Sequence, residues 1–370
     1  MLNYLVPFNK VGKTAQIKKK EILSRISSII DSDVFLNGVQ NQKLKDNLSD
    51  FLGPGYICLT ASGHDALFLC LEYLKLTSQD EIIFPANSYP AAFPVCLTKA
   101  KPVLVDVDKN GQIDPNDLMR KISKKTKAVI IVHLYGLVGN LSQIKSIAGN
   151  KITLIEDCAQ ALGSKFDNKL VGTIGDVGCF SFYPTKTIST LGDGGFIFTK
   201  NRKMYEFIQK AVSYGEKIRY QSEFISSHSR LPEIQAGILN VLFSRVNITF
   251  EKRKSVATYY KKTLMDQGLK KYIELLNSNP NSDPVEHLFV IKAQKRDFLR
   301  KYLDIKGIET YIHYPIPVHL VPAFSYLGYK LGDFQNSEYL SKQIISLPFN
   351  PYITKKDLNY VIESIKSFYA

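Results

Sequence analysis

Asp157 and Lys186 are the two residues of this chain whose types and spacing offer chemistry beyond packing. Asp157 closes the apolar run Ile152-Thr153-Leu154-Ile155-Glu156-Asp157. Lys186 follows 29 positions later, in Ser181-Phe182-Tyr183-Pro184-Thr185-Lys186, ahead of Gly192, Gly194 and Gly195. A carboxylate ending a strand and a lysine in the turn-rich stretch beyond it match what pyridoxal phosphate (PLP) requires. That cofactor needs an amine that links to its aldehyde and an acid that keeps its ring nitrogen protonated. The protonated ring draws electrons from the bond being broken, and the lysine later carries a proton. Singly, neither residue is diagnostic: 48 of the 370 residues are Lys or Arg, and Asp commonly ends strands.

Further residues belong to the same chemistry. Ala61-Ser62-Gly63-His64-Asp65-Ala66-Leu67 follows an apolar run and opens a helix. A glycine there lets backbone N–H groups approach a phosphate, and a helix N-terminus favours its charge. The same residues also suit an ordinary turn capped by Ser62 or Asp65. Tyr89, in Pro85-Ala86-Asn87-Ser88-Tyr89, offers an aromatic face to a planar pyridine ring or packs in the interior. Gln160, three residues past Asp157, is close enough to reach ring substituents, and Ser181 offers a hydroxyl to the phosphate.

Residues so far apart need a framework that gathers them. From about residue 55 short apolar runs alternate with helical stretches. Strands are predicted at Tyr56-Leu59, Glu81-Pro85, Pro102-Val107, Ala128-His133, Thr153-Asp157, Val177-Phe182 and Gly195-Thr199, with helices such as Asp65-Lys75 and Ser142-Ala148 between them. That alternation predicts an α/β domain with a mainly parallel sheet covered on both faces. Only 12 residues, the lysine turn among them, separate the last two runs, so the chain direction reverses there. In such sheets ligands gather beyond the carboxyl ends of the strands, which is where the residues above map. A charged helix over Phe250 to Gly268 and the loop Asn277 to Pro284 then lead to a smaller C-terminal α+β domain. Its predicted elements are a strand at Glu286-Lys292, a helix at Arg296-Lys306, an extended stretch at Glu309-Tyr314 and a last helix at Lys355-Phe368. The domains read as 1–250, an N-terminal segment plus the large domain, and 251–370.

Composition excludes several classes. With 45% hydrophobic and 11% aromatic residues the chain can build these cores, and no run approaches the roughly 18 apolar residues of a membrane span. The apolar start stops at Pro7 with no small-residue cleavage site behind it, which argues against a signal peptide. Five cysteines (Cys58, Cys70, Cys96, Cys158, Cys179), odd in number and without a CxxC pair, argue against a disulfide framework or a metal site and suit a cytoplasmic location. A net charge of +14 raises the question of nucleic acid. The lysines are scattered in short clusters without a helix-turn-helix or RNA-binding signature, so they read as a solvated surface.

Taken in order along nearly the whole chain, the motifs resemble those of the PLP-dependent sugar aminotransferases named for DegT, DnrJ, EryC1 and StrS. They are Val132-His133-Leu134-Tyr135-Gly136, Ile155 to Ala161, Gly175 to Lys186, Leu191-Gly192-Asp193-Gly194-Gly195 and Ser229 to Ala236. The resemblance implies a fold-type I aminotransferase, a homodimer with sites at the subunit boundary. It places Lys186 at the position linked to the cofactor, Asp157 at the ring nitrogen, Tyr89 in the stacking position and Gln160 near the ring hydroxyl. Gly63, His64 and Ser181 fall in the phosphate cradle. Two positions depart from the family pattern. His64 stands where many members have Thr or another small polar residue, so a backbone contact survives and a hydroxyl contact does not. His228 stands where an Asn often reaches the neighbour's phosphate, and an imidazole N–H can donate the same bond.

Within that resemblance, His313-Tyr314-Pro315-Ile316-Pro317-Val318-His319-Leu320 and Ser213 to Lys217 look like the branch that aminates carbon 3 of a dTDP-linked 3-keto-6-deoxyhexose, with glutamate as donor. Tyr183, Tyr314 and His319 then become substrate-binding candidates. The same prolines also suit a stiff surface loop, and a 4-amino branch remains open. So does a non-catalytic regulator or binding protein of the same fold. A sugar 3-dehydratase of this fold would carry His at the Schiff-base position, and this chain has Lys186 there.

Overall fold

A computed structural model describes residues 4–266 and 268–370. Met1, Leu2 and Asn3 of the apolar start, and Gln267 of the predicted long helix, lie outside the described residues.

Continuous apolar runs such as Glu81-Ile82-Ile83-Phe84-Pro85 and Ala128 to Val132 do not alternate with polar residues, because both faces of their sheet are covered. The large sheet has seven strands: β1 (Tyr56–Thr60), β2 (Glu81–Pro85), β3 (Lys101–Val105), β4 (Thr126–Val132), β5 (Thr153–Asp157), β6 (Val177–Ser181) and β7 (Gly195–Thr199). Their spatial order is β1-β7-β6-β5-β4-β2-β3. The pairs β2/β3, β2/β4, β4/β5 and β5/β6 are parallel, while β7 runs antiparallel to both β6 and β1. The expected reversal after the lysine turn is therefore present. β7 also inserts between β6 and β1, which puts the first strand at one edge of the sheet.

Strand ends shift where side chains pull the chain away. The third strand stops at Val105, not Val107: the Asp106 amide donates to Asp117 Oδ2 (2.7 Å) and begins a turn. The fourth stops before His133, which leads into a short 3-10 turn at Leu134–Gly136.

In the C-terminal part β8 (Ile273–Leu275), β9 (Phe289–Ala293) and β10 (Ile344–Leu347) form an antiparallel sheet in the order β8-β9-β10. The strands β8 and β10 were not expected from the sequence. The strand predicted from Glu286 begins at Phe289. Arg253 Nη1 holds the carbonyls of Glu286 (3.3 Å) and His287 (3.2 Å), and the His287 amide goes to the Tyr135 carbonyl (2.8 Å). The stretch Glu309-Tyr314 is a strand only in one bridge, Tyr311 to Ser346.

The helix predicted from Phe250 spans Val246–Asp266 and crosses the expected domain boundary. Phe250 packs into the core of the large sheet, whereas Val256, Ala257, Tyr260 and Leu264 pack into the C-terminal core. Val6 joins that second core and bridges Ile308, while Phe8 packs into the core that the large sheet shares with C-terminal residues such as Leu288 and Val318. N-terminal helices Lys19–Ser32 and Val39–Leu52 lie against Glu233–Phe243. There the buried Glu233 carboxylate accepts from the amides of Gly38 (3.1 Å), Gln40 and Asn41 (3.1 Å), capping the second helix from outside it. Among the described residues no helix is long and apolar enough to cross a membrane.

Candidate active site

Four connections at the carboxyl edge of the sheet build one cavity of about 350 Å³. After β1 the chain turns into the helix Gly63–Tyr73, where the Ser62 hydroxyl accepts from the Asp65 amide (3.1 Å). The amides of the first turn, Gly63 and His64 among them, have no intrahelical acceptor. A Cβ on Gly63 would lie 2.7 Å from Ser181 Cβ, so only glycine lets this turn sit against the end of β6. Asp65 is pushed up by burial, but hydrogen bonds from His64, Ser229 and Ser62 prevail and hold its carboxyl below the usual range. It therefore stays charged under the turn. The exposed His64 ring lies 3.5 Å from Asp65.

After β2, Tyr89 opens the helix Tyr89–Cys96, with Ser88 as the residue before it. Its ring meets Phe93 edge-on (4.9 Å) and Tyr314 at a tilt (5.9 Å), and it is 38% exposed to the cavity side. Asp157 ends β5 in register with Val132 on one side and Cys179 on the other. Its Oδ1 accepts from the Ala159 amide at 3.0 Å. Beneath it, Glu156 is fully buried, accepting from the amides of Gly172 (2.8 Å), Ile174 (2.9 Å) and Gly175 (2.6 Å) and pairing with His133 Nε2 (3.0 Å). Although Cys158 lies beside Glu156 and His133, those three amides occupy the carboxylate, and the group serves the loop rather than a metal.

Lys186 sits in a tight turn after β6, its amide bonded to the Tyr183 carbonyl (2.9 Å), with Phe182 N to Gly194 O (2.8 Å) closing the loop back on β7. Burial lowers its ammonium from 10.5 to about 8, against an upward pull from Asp157. Burial raises the Asp157 carboxyl, opposed by the Ala159 amide, Lys186 and His133. The two side chains thus feel each other's charge, yet they form no ion pair among the described residues. The amine and the acid face a shared space instead of neutralising one another.

The cavity brings together Gly63, His64, Tyr89, Asp157, Ser181, Tyr183 and Lys186. Gln160 and Tyr314 stand behind it. Gln160 Oε1 accepts from the Tyr135 amide (2.7 Å), and the Tyr314 phenol is pushed up by burial and the charge of Asp157, with Gln160 opposing. His228 lies outside its own cavity: it is exposed, stacked on Tyr214 at 5.2 Å, with Nε2 accepting from Arg230 Nε at 3.1 Å. His319 is buried and held by Glu338 Oε1 at 2.9 Å, in the short turn after Pro317, and it is not among the residues that line this cavity. Asp193, Phe93 and Tyr135 were not singled out from the sequence. Asp193 and Tyr135 sit inside the quoted glycine motifs, which was the only signal for them. Larger clefts open elsewhere, one of about 570 Å³ between Glu72, Lys75, Lys203 and Lys210. They gather no buried acid facing a depressed lysine, and Lys210 is spent on Glu223 (2.5 Å).

A glycine-lined helix N-terminus that a Cβ would fill, a stacking ring, a buried acid and a lysine with a depressed pKa fit PLP at all four corners. Fold and site together define a PLP-dependent aminotransferase of fold type I. The chain belongs to the DegT/DnrJ/EryC1/StrS aminotransferase family, whose profile matches residues 16–366. It is 33% identical to a protein of Geobacillus stearothermophilus named pleiotropic regulatory protein, over 98% of both chains. It is 32% identical to dTDP-3-amino-3,6-dideoxy-alpha-D-galactopyranose transaminase of Aneurinibacillus thermoaerophilus, over 98% of this chain and 99% of that one. The crystal structure of DesV from S. venezuelae superposes with a TM-score of 0.94 at 31% identity, covering 98% of each chain. Relatives whose names carry UDP or GDP in place of dTDP match as well. The protein is a sugar aminotransferase acting on nucleotide-linked sugars.

Proposed function

We propose that the substrate is a dTDP-linked 3-keto-6-deoxyhexose, aminated at carbon 3 with glutamate as donor. The observation that carries the chemistry is the pairing, in one cavity, of Lys186 depressed to about 8 with the buried Asp157. A lysine serves as a base near neutral pH only when its amine is partly unprotonated there. Similarity to the dTDP-3-amino-sugar transaminase supports the choice of sugar.

In this reading Gly63, His64 and Ser181 hold the phosphate of PLP, Tyr89 stacks on the ring, Asp157 faces its nitrogen and Gln160 its hydroxyl. Bound there, PLP supplies the electron sink that lets a proton leave the carbon bearing the amine. Lys186 Nζ would hold the cofactor and, once free, would carry that proton. In the second half of the cycle the same Nζ returns a proton to the sugar carbon. Tyr183 and Tyr314, flanking the mouth and rear of the cavity, bind the sugar. His228, outside its own cavity, reaches the phosphate in a second copy of the chain. Exposed apolar side chains beside it, Tyr214, Ile218, Tyr220 and Ile225, support such a homodimer.

Absorbance tests the reading. The chain is loaded with PLP, then given glutamate, then dTDP-3-keto-6-deoxyhexose. A yellow band that bleaches with glutamate and returns with the 3-keto sugar is the expected result. Return only with a 4-keto sugar moves the amine to carbon 4, and no bleaching with glutamate removes it as donor.

A further inference from the structure

Tyr135 ties together three parts of the site that lie far apart in the chain. Its backbone is left-handed (φ 65°, ψ 5°) although it carries a bulky side chain. Such a conformation persists only where the surroundings over-determine it. Here they do. Gly136 follows at φ 85°, so close to the C-terminal domain that a Cβ would lie 2.3 Å from the Val285 carbonyl. The Tyr135 carbonyl accepts from the amides of His287 (2.8 Å) and Leu288 (3.4 Å). Its amide donates to Gln160 Oε1 (2.7 Å), and its hydroxyl donates to the His313 carbonyl, directly before Tyr314.

The amide bond has a consequence for the cavity. A backbone N–H can only donate, so it settles which end of the Gln160 amide faces it: the oxygen. The NH₂ end is left as the donor: it reaches the Tyr314 phenol and is the end that Gln160 can offer to a cofactor ring. The hydroxyl bond has a separate consequence. It fixes the carbonyl of His313 and with it the entry of Tyr314, whose ring leans towards Tyr89 at 5.9 Å. One residue thus orients a donor on the cofactor side through its backbone and a phenol on the substrate side through its side chain.

We propose that Tyr135 is a positioning residue with two separable roles: its amide orients Gln160 as a donor towards the cofactor ring, and its hydroxyl holds the His313–Tyr314 segment where the sugar binds. The first role rests on the reading that Gln160 faces PLP. A residue that merely fills the core would affect folding and leave the two roles unseparated, because Tyr135 is 2% exposed.

Two variants and two measurements separate these. Tyr135→Phe keeps the amide and removes the hydroxyl. Titration of the apo chain with PLP, followed by absorbance, should give a dissociation constant within about twofold of wild type, while KM for the keto sugar rises about tenfold with kcat within about threefold. Gln160→Glu keeps an acceptor for the Tyr135 amide but presents no donor to the cavity. Its dissociation constant for PLP should rise at least about tenfold with unchanged thermal stability of the apo chain. Unchanged KM in Tyr135→Phe, or a fall in stability and kcat without a change in KM, overturns the substrate-side role. Unchanged PLP affinity in Gln160→Glu overturns the cofactor-side role. The wild-type titration measures the underlying reading separately: a chain that takes up no PLP refutes that reading, whereas a wild type that binds beside an indifferent variant refutes the proposal.

Discussion

Replacing Lys186 with methionine should make the cofactor-free chain more stable near neutral pH, although it removes the amine on which the proposed chemistry turns. Methionine matches the length of the apolar stem and carries no charge. The cost of burying the ammonium is read from its fall from 10.5 to about 8, which at about 1.4 kcal/mol per pH unit is at most about 3.5 kcal/mol. Lys186 is only half-buried, so solvent screening reduces this to about 2 kcal/mol. The pH dependence has a definite sign. Below about 8 the lysine is protonated in both folded and unfolded chains, and the full cost is present. Between about 8 and 10.5 the unfolded chain binds more protons, so wild-type stability rises with pH. Above 10.5 both states are neutral and the cost is gone. The advantage of Lys186→Met should therefore be full at about pH 7 and vanish above pH 10.5. For a chain of 370 residues it corresponds to a midpoint roughly 2–3 °C higher. Thermal unfolding of the apo forms by circular dichroism across this range measures it. A variant that is no more stable than wild type at about pH 7, or an advantage that persists above 10.5, would refute the claim that burial sets the Lys186 pKa. The confirming result would also mean that the fold sacrifices stability to keep a neutral amine available.

Three further outcomes follow from the site. Capture of PLP by the apo chain needs the neutral amine, so its rate in stopped-flow absorbance should climb through about pH 8 and level off above it; a midpoint near the ordinary lysine value speaks against the depressed amine. Gly63→Ala places a Cβ 2.7 Å from Ser181 Cβ and should weaken PLP binding at least about tenfold with the far-ultraviolet spectrum preserved. Wild-type affinity in that variant would remove this turn from the phosphate cradle. His319→Ala breaks a buried contact with Glu338 and should cost about 2–3 kcal/mol in urea unfolding with KM for the sugar unchanged. A raised KM at unchanged stability would return His319 to the substrate site.

Much of the candidate site was legible in the chain because its signals are local. A strand that must be buried on both faces is written as a continuous apolar run, so Glu81–Pro85 and Thr153–Asp157 were found to the residue. A carboxylate at the end of such a run and a lysine between two oppositely directed strands need no distant information to be recognised. The helix opening at Gly63 and the position of Tyr89 after the next strand are equally local.

Tertiary packing decided the rest. The sequence runs β6 into β7, but nothing local says that β7 inserts beside β1 and so brings Ser181 against Gly63, 118 residues away. His319 and Tyr314 share one proline-rich run; a turn sends one into the interior with Glu338 and leaves the other beside Tyr89, a choice made by packing against residues outside the run. The left-handed Tyr135 carries no sequence mark, because its conformation is imposed by bonds to Gln160, His287 and His313. Residue identity determined which groups could titrate, donate or stack. The depth at which the fold places Lys186 and Asp157 decided their proton affinities, since desolvation depends on every neighbour that excludes water and not on the residue itself.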